Sequence, residues 1–173
     1  MLDIPFVSSA RGSDRPSKDF DFFMGIWHCR HRYLVERLAD CRDWIEFEGC
    51  CAARKILGGW GNSDESEINL PGDRYRGMSV RTWNPGKDTW TIYWLDSRTP
   101  GRLGAPVCGR FEKGLGVFYG DDELKGRPIR VRYLWSRITE SSARWEQAFS
   151  RDTLSRDKGG SWETNWYMDF TRV

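Results

Sequence analysis

From Trp27 onward the chain is a succession of short runs rich in aromatic and β-branched residues, each broken by a turn signal before it can become a helix. One break every roughly 8–12 residues is the rhythm of sandwiches and barrels. The runs are Trp27 to Leu38, Arg42 to Leu57, a short third segment beyond the glycine-rich bend Gly58 to Glu65, Arg74 to Trp83, Thr89 to Ser97, Val107 to Glu112, Val117 to Gly120, Arg127 to Thr139, Ala143 to Asp152 and Trp162 to Arg172. Their connections are mostly tight. Pro85-Gly86 supplies a fixed φ and then a permissive residue, as a hairpin turn needs. Lys113-Gly114-Leu115-Gly116 and Glu140-Ser141-Ser142 make two more hairpins. Greek-key sandwiches need long crossovers. The expected fold is therefore all-β: an antiparallel up-and-down barrel of about nine or ten strands, counted from the runs above.

Ahead of the first run, residues 1–18 are polar, carry two prolines and have no period, so they read as an N-terminal arm. Residues 19–173 read as a single barrel domain, opened by one short helical turn over Asp19 to Met24. Met1 to Ala10 contain Asp3 and Pro5 and no basic stretch, so no secretory signal is expected. Apolar runs are too short for a membrane helix. The net charge is +2 with both signs interspersed, which argues against a nucleic-acid or membrane-surface partner.

Ten tryptophans are a costly way to fill an ordinary core, because each indole N–H wants a partner. In a small β protein they suggest a barrel closed by large rings or a cavity lined by them. The five cysteines, Cys29, Cys41, Cys50, Cys51 and Cys108, have no C-x-x-C spacing and read as reduced residues of a cytoplasmic protein. The two histidines, His28 and His31, fit neither a zinc finger nor H-E-x-x-H. Asp64, Glu65, Asp121 and Asp122 lack the spacing of a calcium loop. No phosphate-binding loop, dinucleotide fingerprint or serine-nucleophile motif is present. No metal or cofactor is expected.

Gly25-Ile26-Trp27 opens the first strand and Asp169-Phe170-Thr171-Arg172 closes the last. This resembles the lipocalin (calycin) pattern, in which an Arg from the last strand covers the indole of a G-x-W Trp by a cation–π contact. Residues 20–172 are also similar to a bacterial family of lipocalin-like proteins of unknown function. The segments that carry this are Phe22 to Trp27, Gly58 to Glu65, Arg81 to Pro85, Trp90 to Trp94, Gly109 to Phe111, Phe149 to Asp152 and Trp162-Glu163. The resemblance implies a barrel with a cavity and implies no reaction. Nitrobindin-like barrels hold haem through a His near the C-terminus, whereas the last His here is His31.

Strand alternation sorts the side chains. On the first strand Trp27, Cys29, His31, Tyr33 and Val35 form the natural inner face. On the last, Trp162, Thr164, Trp166, Met168 and Phe170 do. Pairing Trp83 with Trp90 would put Ser79, Arg81, Ile92, Trp94 and Asp96 on one face with them. In the hairpin at Glu140 to Ser142 two registers are open. With an even loop, Arg132 faces inward beside Trp145 and Gln147; with an odd one, Val131, Tyr133 and Trp135 do.

The candidate site is thus an aromatic cavity with sparse polar groups, the composition of a small-molecule site. His31, Tyr33 and Arg132 are the candidate catalytic residues, since a His and a Tyr two apart on a strand point the same way and could act as acid and base. Arg81, Trp90, Trp94, Asp96, Trp145, Gln147 and Trp166 are the candidate ligand-binding residues. An inward Arg would favour an anionic oxygen, although Arg81 and Asp96 could instead neutralise each other. Three functional classes fit. One is a cofactor-free cyclase, isomerase or lyase (dehydratase) of small-molecule biosynthesis. Another is a non-catalytic ligand carrier. The third is an interaction module, a homodimer built on exposed Trp135 and Tyr167.

Overall fold

The computed structural model describes residues 15–153 and 161–173. Most of the expected arm (1–14) and much of the polar loop before the last strand (154–160) lie outside the described residues. Ten antiparallel strands follow one another: β1 (Gly25–Leu34), β2 (Trp44–Ile56), β3 (Gly61–Ile68), β4 (Tyr75–Asn84), β5 (Thr89–Asp96), β6 (Val107–Glu112), β7 (Leu115–Leu124), β8 (Arg127–Ser136), β9 (Ser142–Ser150) and β10 (Glu163–Arg172). Each pairs with its neighbours in sequence and β10 pairs back onto β1, so the sheet is a closed up-and-down barrel with no free edge strand. Among the described residues no helix is long and apolar enough to cross a membrane.

One end of the barrel carries only short connections, and all the long ones are at the other. The turn end is plugged from within. A single 3-10 turn, Asp21–Phe23, lowers Phe20 and Phe23 into the bore, where both are buried. Their rings meet Trp90 (5.0 Å), Trp135 (4.7 Å) and Phe170 (5.1 Å) largely edge to face, the arrangement ring quadrupoles favour. Two indoles are tied to the plug. Trp27 Nε1 donates to the Phe23 carbonyl at 2.7 Å, and Trp90 Nε1 donates to Asp19 at 3.1 Å.

The barrel is clasped where its first and last strands meet. Arg172 pairs with Trp27 across β1 and β10, and its guanidinium lies 4.2 Å from the indole centroid. Its three nitrogens donate to the carbonyls of Glu140 (2.9 Å), Met24 (2.7 Å) and Phe22 (2.6 Å). One side chain therefore joins the last strand, the plug and the β8–β9 turn. Gly25 is needed beneath it: its φ is +122°, and a Cβ there would lie 2.7 Å from Arg172 Nη1.

Three expectations are corrected. The glycine-rich bend is shorter than its sequence suggests, since Gly61 already opens β3 and Asn62, Asp64 and Glu65 belong to a strand. Trp162 lies outside, against Tyr119 (5.8 Å), because a bulge between Thr164 and Trp166 shifts the alternation at the start of β10 and turns Asn165 inward. Trp135 is buried in the core, so it offers nothing to an outer dimer patch.

Arg172→Met removes three charge-assisted hydrogen bonds and the indole contact. It should lower unfolding stability by about 2–3 kcal/mol, read as a lower urea midpoint at unchanged slope, and Arg172→Lys should recover less than half. An unchanged midpoint would show that closure does not depend on this clasp.

Candidate functional site

Above the plug the inward side chains leave a cavity of about 70 Å3. Its walls differ in character because strands five places apart in a ring of ten face each other. β3 and β4 contribute Asp64, Ser66, Ser79 and Arg81, all buried. Across from them β8, β9 and β10 contribute Tyr133, Trp135, Trp145, Gln147, Trp166 and Met168. Trp94, from β5, forms a partly exposed side wall.

The polar wall is an ion pair. Arg81 Nη2 lies 2.5 Å from Asp64, and both side chains are about 95% buried. Arg81 Nη1 also donates to Asn62 at 3.0 Å, while Ser66 donates to the other Asp64 oxygen at 3.5 Å. The guanidinium sits among the Phe20, Phe23 and Trp135 rings at 5.1–5.8 Å. Two buried donors around the cavity have no protein acceptor among the described residues: Arg81 Nε and Trp135 Nε1. Behind this wall a hydrogen bond with Cys29, together with burial, drives the Cys51 thiol far up, so it stays protonated. All five cysteines are free.

The aromatic wall carries its own hydrogen bonds. Trp166 Nε1 donates to His31 Nδ1 at 3.1 Å, and Gln147 donates to Asn165 at 2.8 Å. Tyr133 packs edge-on to Trp145 at 4.9 Å, and burial pushes its phenol up to about 12. Trp94 rests on bare backbone: a Cβ on Gly77 would lie 2.0 Å from its ring.

The residues singled out in sequence divide into four groups. Arg81, Trp94, Trp145, Gln147 and Trp166 line the cavity. Trp90 lies below, in the plug. Tyr33 and Asp96 are at the open end. There Asp96 is paired to Arg98 at 2.6 Å rather than to Arg81. Burial alone would raise its carboxyl, but hydrogen bonds from Arg98 hold it below its ordinary value. His31 is wholly buried yet does not line the cavity; it stacks on Phe47 at 4.6 Å behind Trp166. Arg132 is on the outer surface, its guanidinium 4.8 Å from the Trp162 ring. The register decides this. Ser136 pairs with Arg144, leaving an odd number of residues between them, so Val131, Tyr133 and Trp135 face inward with Trp145 and Gln147. His31, Tyr33 and Arg132 therefore do not converge on one point.

Asp64 and Ser66 were the residues that sequence reading missed as site groups. A strand whose inward positions are Asn62, Asp64 and Ser66 inverts the apolar-in pattern. The one available signal was an Arg on the neighbouring strand. Asp64, Glu65, Asp121 and Asp122 do not gather either: Glu65 reaches Arg76 and Asp121 reaches Arg130 on the outside. No protein-family model matches the chain, and no curated protein matches it.

Two measurements follow from this geometry. Burial, aided by His28, holds the His31 imidazole down at about 4 from its ordinary 6.5. Between those values the unfolded chain binds a proton that the folded chain refuses, so stability falls as pH drops through that window. The loss is about 3 kcal/mol, and His31→Gln should flatten that part of the stability–pH curve. An acid limb unchanged in the variant would contradict the assignment. Separately, Asp64→Leu or Arg81→Met alone strands a buried charge and should cost about 3–5 kcal/mol, whereas the double variant should regain most of it. Additive losses in urea unfolding would mean that the two charges are not coupled.

Proposed function

We propose that the barrel receives a small, single-ring aromatic molecule whose buried end is uncharged and accepts hydrogen bonds. The observation that carries this reading is the cavity's two-sided lining, with the Asp64–Arg81 pair and two unspent donors opposite a wall of indoles. Buried donors are ordinarily satisfied, and a guest oxygen could accept from Arg81 Nε and Trp135 Nε1. Because Asp64 neutralises Arg81, the deep pole favours a carbonyl or ether oxygen over a carboxylate, which would meet the Asp64 charge at close range. Trp145 and Trp166 then stack on the ring.

Size limits the guest. The cavity's 70 Å3 is below the roughly 300–1,000 Å3 of drug-sized sites. A one-ring guest requires Trp94 to swing outward from its seat on Gly77. The carrier reading is favoured over the cyclase, isomerase or lyase reading by one specific observation: the imidazole expected to move protons has Nδ1 engaged by Trp166 and stands behind the cavity wall. Kinship with lipocalin-like barrels is supported by the ten-strand closure and the Trp27–Arg172 clasp. Five free thiols support a reducing, cytoplasmic setting.

Acetophenone carries one ring and one acceptor oxygen, and toluene lacks the oxygen. Acetophenone should change the intrinsic Trp fluorescence saturably and bind about tenfold more tightly than toluene. Ser79→Leu, which fills the cavity beside Trp94, should abolish the signal while the protein still melts cooperatively. No saturable response to either compound, or an equal response in Ser79→Leu, would end the proposal.

A further inference from the structure

Among the described residues, Arg37 at the open end of the barrel has no ion-pair partner. Its guanidinium lies 4.2 Å from the Tyr33 ring and 5.7 Å from the Phe149 ring, and its Nε is buried with no acceptor. Aromatic rings satisfy the face of a guanidinium but not the N–H groups along its edge. Arg98, also at the mouth, is already spent: it is held by Asp96 and Asp73, both at 2.6 Å. Nor is Arg37 on a loose loop. The next residue, Leu38, donates its N–H to one oxygen of Glu163 at 2.6 Å, and its carbonyl accepts from Arg151.

Arg37 is also continuous with the cavity. Tyr33 packs edge-on to Trp166 at 5.2 Å, and Trp166 lines the cavity. Burial raises the phenols of Tyr133 and Tyr75, and the charge of Arg37 pulls both the other way, so its field reaches the cavity wall and the far side of the mouth. The deep pole is already neutral. Charge recognition therefore falls to the mouth.

We infer that Arg37 is the counter-ion for an anionic group on the guest, which makes the ligand a small aromatic monoanion with its ring inside and its carboxylate at the rim. This rests on the cavity reading above and adds the charge and the orientation. A carboxylate suits the edge of a guanidinium, which can donate two parallel hydrogen bonds to it.

The test uses 4-acetylbenzoate and its uncharged partner 4-acetylbenzamide, titrated by Trp fluorescence and calorimetry. The intact protein should prefer the benzoate by about tenfold, and added salt should weaken the benzoate alone. Arg37→Gln should bind both compounds alike, with affinity for the amide unchanged within about twofold. Arg37→Lys should keep part of the preference. Equal binding of the two compounds by the intact protein, or a preference that survives Arg37→Gln, overturns the assignment to Arg37 and leaves the cavity reading standing if the amide still binds. Failure of both compounds to bind overturns both.

Discussion

Closure of the sheet between β1 and β10 is the constraint on which everything else rests. In a closed ring of strands every register must agree with every other, because the side-chain period is two and a slip of one residue turns a whole face inside out. The last pairing to be satisfied brings Trp27 opposite Arg172. Arg172 fixes that pairing by donating to backbone carbonyls on both sides of the seam, Met24 and Phe22 on one and Glu140 on the other. The same contacts hold the 3-10 turn that carries Phe20 and Phe23 into the bore. Closure and plugging are thus one event, and the plug determines which end is left for a cavity.

What could be read from the chain follows from which rules act locally. Turn spacing, the G-x-W opening and the final Arg were legible because each depends on a few adjacent residues. The Trp83–Trp90 register was legible too, since Pro85-Gly86 sets a hairpin on its own. The inward face of β8 was not, because it depends on the parity of a connection with no decisive turn residue. Arg132 and Tyr133 were equally good inward candidates until the pairing of Ser136 with Arg144 chose between them. The start of β10 hid for a similar reason: nothing around Asn165 announces a bulge. Asp64 was the largest omission. A polar inward strand cannot be distinguished from a loop by hydropathy, and its meaning appears only when β4 delivers Arg81 to it.

That ion pair bears on what the barrel is for. Two buried charges are a weak route to stability, and apolar replacements of similar volume often do as well or better. Here the pair is surrounded by rings on the plug side and faces open space on the other. Had the interior served only to hold the barrel together, the indoles of Trp145 and Trp166 could have met aliphatic side chains across the bore. Instead they face hydroxyls, a carboxylate and a guanidinium. Such a lining matches the proposed guest, which has a polar and an aromatic end. His31, placed behind Trp166, helps to set the indole's angle.

Access to the cavity follows from how unevenly the wall is stitched. Most neighbouring strands pair along nearly their whole length, but β5 and β6 share only the pairs from Trp90 to Ile92. Beyond Ile92, towards the mouth, β5 is held by an isolated bridge between Leu95 and Leu103 and by the Gly104 amide donating to the Trp94 carbonyl at 2.9 Å. Trp94 therefore stands on the least laddered stretch of the barrel. Its ring lies against Gly77, where no side chain resists its leaving. This seam lies across the ring from the β1–β2 connection that carries Arg37. Local opening concentrates where backbone pairing is sparse. The plug and the Arg172 clasp hold one end, and the short strand β6, set among longer ones, leaves the β5–β6 seam sparsely paired towards the other.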